Sequence, residues 1–172
     1  MWSSKPVSKF IAAGLMALAL AGCFRPLNGE FGKDNSTIAK ELALVDVEPM
    51  SDTLGHFLVQ NVLFELNGGT LPTKPRYKLT MKATNSLTTP VIDSSSGRAD
   101  VGSVLTSVTF VLARIDTGAE IGRGVVNSSA TYDRMSQRFS AARARRDAEI
   151  RVSQAMAEDI RTRVATLLLN QK

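Results

Sequence analysis

Cys23 is the only cysteine of the chain and its strongest nucleophile, since a thiol attacks more readily than a hydroxyl. One cysteine excludes an internal disulfide framework. A free thiol is a liability in an oxidising compartment, so a chemistry that consumes Cys23 is expected. The only histidine, His56, lies inside an amphipathic stretch, where a lone imidazole is a structural side chain rather than a catalyst. No HExxH, zinc-spaced cysteine pair, GxSxG or Walker glycine loop occurs. Asp147 stands four residues before Arg151, and Asp159 four before Arg163, the spacing of helical ion pairs rather than of a general acid–base pair. The expectation is a binding or structural protein, not an enzyme, with no metal and no cofactor apart from a covalent group on Cys23.

The residues before Cys23 supply that chemistry. Met1–Lys9 carries two lysines and no acid, Phe10–Leu20 is an unbroken apolar run, and Leu20-Ala21-Gly22-Cys23 follows. This is the order of a signal peptide, and the run is shorter than the roughly 20 residues a membrane span needs. Leu-Ala-Gly-Cys resembles the bacterial lipobox. The resemblance implies an S-diacylglyceryl group on Cys23, cleavage between Gly22 and Cys23, and acylation of the new amine. Each buried methylene contributes roughly 0.8 kcal/mol, and several acyl chains together make a firm anchor. Phe24, rather than Asp, follows the cysteine. By resemblance to sorted lipoproteins, that implies the periplasmic face of the outer membrane. The expected organisation is a signal peptide over 1–22, a lipidated tether over 23–38 and one domain over 39–172.

The 172 residues carry 21 basic and 16 acidic side chains, a net charge of +5. The pI is 9.7 and the mean hydropathy −0.01. Loss of Lys5 and Lys9 with the leader lowers the excess to two charges less. A mild basic excess suits an anionic surface or substrate. Nucleic acid calls for a denser basic stripe with interleaved aromatics, and no nucleic-acid partner is expected.

The elements follow from periodicity. Glu41–Glu48 reads as a first strand, with Leu42, Leu44 and Val47 on one side and Pro49 ending it. Leu54, Phe57, Leu58, Val62 and Leu66 recur every three or four residues, predicting a helix over Asp52–Leu66 closed by Gly68-Gly69. Arg76–Leu87 alternates as a half-buried strand, and Asp93–Gly97 reads as a polar turn. Val101–Asp116 and Ala119–Asp133, joined at Thr117-Gly118, predict an antiparallel hairpin, with a bulge or kink at Gly122 and Gly124. Ser140–Asn170 contains no Gly or Pro and carries Ala148, Val152, Met156, Ile160, Val164 and Leu167 as a helical stripe. The predicted class is α+β, in the order β-α-β-β-β-α, with two amphipathic helices packed on one face of a four-stranded sheet.

Past the lipobox the chain reads Cys23-Phe24-Arg25-Pro26-Leu27-Asn28-Gly29. This resembles the mature start, Cys-Gly-Phe-Arg-Pro-Leu-Tyr-Gly, of the alphaproteobacterial branch of the lipopolysaccharide-assembly lipoprotein family LptE. It lacks the Gly after Cys and has Asn28 for Tyr. The element order, the tract Ala130–Arg134 and the helix segment Ala141–Arg151 are similar to the family's as well. The resemblance implies a partner of the LptD β-barrel that plugs its lumen from the periplasmic side, binds lipopolysaccharide and helps insert it into the outer leaflet. A plug wants a polar exterior, and Thr80, Thr84, Thr88, Thr106, Ser107, Thr109, Ser128, Ser129 and Thr131 crowd the strands. Lipopolysaccharide phosphates want basic side chains. Arg98, after the polar turn, is the first candidate, followed by Lys78, Lys82, Arg114 and Arg123. The alternatives are an accessory lipoprotein of another envelope lipid-transport or barrel-assembly complex, and a purely structural envelope lipoprotein.

Overall fold

Tyr77, Leu79 and Met81 are buried while Lys78 and Lys82 between them are exposed, because successive side chains of a strand point to opposite faces. The computed structural model describes residues 33–91, 101–134 and 137–171. In it this alternation belongs to strand β2, Tyr77–Val91, which pairs antiparallel with β3, Val101–Arg114. β3 in turn pairs antiparallel with β4, Glu120–Asp133. A three-residue strand, β1, Val45–Val47, lies parallel to β2 on its other side, giving the order β1-β2-β3-β4. Among the described residues three helices complete the order: α1, Lys33–Leu42; α2, Thr53–Asn67, between β1 and β2; and α3, Arg138–Leu169, after β4. A parallel pair needs such a crossover, and α2 is it. The α+β arrangement of two long helices with a four-stranded sheet is the one expected from periodicity, with one further helix in front.

One face of the sheet carries the core. The register sets Leu79 beside Leu112, Met81 beside Phe110, and Val108 beside Val126. Against them lie Leu58 and Val62 of α2 and Val152, Met156, Ile160 and Val164 of α3, all buried. α3 packs chiefly on β4 and on α2. Arg151 of α3 also donates to the Thr131 carbonyl of β4 at 3.0 Å. The ion pairs Arg151–Asp147 and Arg163–Asp159 form at 2.9 and 3.0 Å on the helix surface.

Local chemistry sets the ends of α2. The Asp52 side chain accepts from the Gly55 amide at 3.2 Å, satisfying one free amide of the first turn. Gly68 closes the helix at φ 70°, where a side chain would be strained.

Gly122 and Gly124 do more than bend a strand. The register shifts by one residue between Leu112 and Ala113, opposite Gly122 and Glu120, so the expected bulge is present. Both glycines also make room on the core face. A Cβ on Gly124 would stand 2.6 Å from Phe110, and one on Gly122 2.6 Å from Leu167.

The first strand differs from expectation. Glu41–Glu48 is not one strand: α1 continues through Leu42, and only Val45–Val47 is extended. Leu42 is buried from the end of the helix, and Val45 and Val47, not Leu44 and Val47, point inward together. Three ladder positions, Val45 to Tyr77 through Val47 to Leu79, suffice to hold the strand. α1 also begins inside the stretch read as tether. The signal peptide, the lipobox and the Asp93–Gly97 turn lie outside the described residues.

Candidate functional site

The side of the sheet turned away from α2 and α3 is open. Its rows cross three strands: Thr80 with Val111 and Arg123, Lys82 with Thr109 and Val125, Thr84 with Ser107 and Asn127, Ser86 with Leu105 and Ser129. Most of these side chains are exposed, Val125 at 49 % and Leu105 at 42 %. The face is therefore a hydroxyl-rich surface with a few apolar positions, able to hydrogen-bond a partner without presenting a broad greasy patch. Of the nine strand hydroxyls read as partner-facing, seven belong here. Thr106 and Ser128 do not: they pair with each other across β3 and β4 on the opposite, helix-bearing face. Thr106 is 3 % exposed and its hydroxyl has no hydrogen-bond partner among the described residues. The chain alternates strictly through that stretch, so an even-numbered β3 residue points to the helices whatever its polarity.

Three of the five cations expected to meet phosphate lie on the open face, in different states. Lys78 faces Glu48 at 3.3 Å. The same carboxylate accepts from the Thr80 hydroxyl at 2.7 Å. These hydrogen bonds, from Thr80 first and then Lys78, together with the Lys78 charge, hold the Glu48 carboxyl below its ordinary value. Arg123 is clamped by Glu120 through two bonds, at 2.7 and 2.6 Å. Its guanidinium is held in the charged form by that carboxylate, and Glu120 is lowered in turn by the same bonds. Residues three apart on a strand ordinarily face opposite sides. The bulge at Ile121 adds one residue and brings Glu120 and Arg123 onto the same side. Lys82 has no ion pair among the described residues and projects, exposed, in the row with Thr109 and Val125.

Arg114 is elsewhere. It pairs with Tyr77 at the end of the core face and lines a cleft of about 310 Å³ with Pro75, Arg76, Ile115 and Asp116. There the Tyr77 hydroxyl donates to Glu41 at 2.8 Å, and Arg76 reaches the same carboxylate at 3.3 Å. Burial first, then the bond to Glu41 and its charge, push the Tyr77 phenol up. This network fastens the end of α1 to the start of β2. Arg98 and Cys23 lie outside the described residues.

A second cationic region escapes a reading by strands. Arg138, Arg143 and Arg146 lie on the first turns of α3, where no residue from Arg138 to Asp147 is buried. The signal for it was in the sequence: Arg134–Arg146 holds five arginines and no acid.

No protein-family model and no curated protein matches the chain. Solved structures match its fold. A candidate lipoprotein of Caulobacter crescentus superposes with a TM-score of 0.66 at 21 % identity, over 78 % of this chain and 97 % of that one. The rare lipoprotein B of Shewanella oneidensis gives 0.46 at 12 % identity, over 74 % and 92 %. A lipoprotein B of Nitrosomonas europaea gives 0.46 at 14 %, over 70 % and 77 %. The first of these establishes a shared fold.

Proposed function

We propose that the chain is a non-enzymatic, lipid-anchored lipoprotein of the outer membrane that partners an LptD-like β-barrel and helps insert lipopolysaccharide, as its resemblance to LptE implies. The observation that carries this reading is the open sheet face: hydroxyl rows on three strands, backed by a helix layer that holds them rigid. A barrel lumen is polar, and serine and threonine meet such a wall with hydrogen bonds at little desolvation cost. Lys82, with Lys78 and Arg123 nearby, supplies positive charge for lipid phosphates on the same face. The lipobox at Cys23 supplies the anchor. The similarity in fold to a candidate lipoprotein is in keeping with this reading.

The test is purification of the tagged chain from detergent-extracted outer membranes, beside a Cys23→Ala control, with identification of what accompanies it. A stoichiometric large β-barrel is the expected result, lost or reduced in the control. Recovery alone, or with an inner-membrane transporter, overturns the reading.

A further inference from the structure

The chain has 21 basic and 16 acidic side chains, and Arg134–Arg146 holds five of the basic and none of the acidic. The rest of the chain is therefore neutral, and its whole net charge sits in this one run. Arg138–Asp147, the first turns of α3, contributes nothing to the core. Phe139 is nonetheless placed there, 73 % exposed. Arg143 lies over the Phe139 ring at 5.6 Å, and Arg146 over the ring of Phe57 on α2 at 5.2 Å. Phe139, Arg143 and Arg146 are spaced by four and three residues, so they share one face of the helix. Phe57 is half-buried on α2, off the buried stripe of Leu58, Val62 and Leu66, and Arg146 lies over its ring. Asn61 donates to Ser153 at 2.9 Å further along, so α2 and α3 run side by side and Arg146 reaches Phe57 across their seam. Arg145 is paired with Glu149, while Arg134, Arg138, Arg143 and Arg146 have no ion pair among the described residues.

We propose that Phe57, Phe139, Arg143 and Arg146, with Arg138 beside them, form a docking strip for the anionic surface of a phospholipid bilayer. Guanidinium groups bind headgroup phosphates by charge and paired hydrogen bonds. The exposed Phe139 ring enters the acyl boundary, as the apolar side of an interfacial helix does. Each arginine stacked on a ring is already held out toward the surface, which lowers the entropy lost on docking. The strip lies on the helix side and the hydroxyl rows on the other side of the sheet, so the inference does not rest on the barrel reading.

A Phe139→Trp reporter in the protein purified from membranes tests this, with the parent protein as the blank, since the one tryptophan of the sequence, Trp2, lies in the expected leader. The protein is mixed with vesicles of phosphatidylcholine, with or without phosphatidylglycerol, carrying a headgroup-region quencher. Because a lipid anchor would hold the chain to either vesicle, the reading is where residue 139 sits. The expected result is blue-shifted, quenched emission with phosphatidylglycerol only, reversed by salt. Arg143→Ala with Arg146→Ala lowers the docked-to-free ratio roughly thirtyfold, about fivefold for each charge. The Arg143→Lys, Arg146→Lys pair keeps most of it, and unchanged far-UV circular dichroism verifies the fold of both variants. No response, or an equal response to neutral vesicles, overturns the proposal. So does the same shift produced without vesicles by inorganic phosphate, by an oligonucleotide or by lipopolysaccharide, since each would make the strip a site for something other than a bilayer.

Discussion

Glu48 governs how much free positive charge the open sheet face presents. It holds Lys78 at 3.3 Å and accepts from Thr80 at 2.7 Å. Its carboxyl is lowered from 4.5 by those partners. A carboxyl lowered on folding adds stability above its unfolded value, and that contribution is lost as pH falls through the folded value. Urea midpoints measured from about pH 6 to about pH 3 should therefore drop on the acid side of 4.5. Glu48→Gln should flatten part of that drop. The same variant should release Lys78 and strengthen lipopolysaccharide binding roughly two- to fivefold, while Lys82→Ala weakens it by a similar factor. Titration of a labelled lipopolysaccharide checks both, and equal affinities for all three proteins would remove the open-face cations from the binding reaction. The sequence placed Lys78 and Lys82 on the polar side of β2, because alternation is a local property. It could not reveal that Glu48, in the segment after β1, takes up Lys78, since that meeting depends on β1 joining β2 in parallel. The Glu120–Arg123 clamp was hidden for another reason: without the bulge, their spacing puts them on opposite sides.

The elements that periodicity found are those with a long apolar repeat. α2, β2, β3, β4 and α3 each extend over fourteen residues or more, so a single odd residue does not break the pattern. α1 and β1 were misread because three ladder positions carry no period of their own, and Leu42 and Leu44 mimic strand alternation across a helix end. The two glycines of β4 were seen as strand irregularities, but the reason for Gly124 is tertiary: it admits the Phe110 ring, 1 % exposed, into the core. Gly124→Val should therefore cost about 1–3 kcal/mol, because neither β4 nor Phe110 can move without disturbing packed neighbours. A compensating Phe110→Leu change in the same chain should recover part of the loss. At the other end of the fold, Asp52→Ala removes the acceptor for the Gly55 amide and should cost about 1 kcal/mol. Denaturant melts of the three variants measure these costs, and an unchanged midpoint for Gly124→Val would mean that β4 yields more easily than its ladder to β3 implies.

Across the molecule, the sheet separates two surfaces of different chemistry. The hydroxyl rows are nearly free of aromatic side chains and carry cations largely matched by Glu48 and Glu120. The strip over α2 and α3 carries rings and unmatched arginines. Surfaces so unlike are expected to meet unlike partners, and substitutions on one should leave the other working. Thr109→Trp puts a bulky side chain in the exposed Lys82–Thr109–Val125 row, where the solvent side leaves the core untouched. It should remove the β-barrel from the purified complex while Phe139→Trp emission still responds to phosphatidylglycerol vesicles. Arg143→Ala with Arg146→Ala should do the reverse, keeping the barrel and losing the vesicle response. If one substitution abolishes both, the two surfaces act as one interface. Helix layer and sheet face would then meet the same partner, and the arginines would belong to the barrel contact rather than to the bilayer.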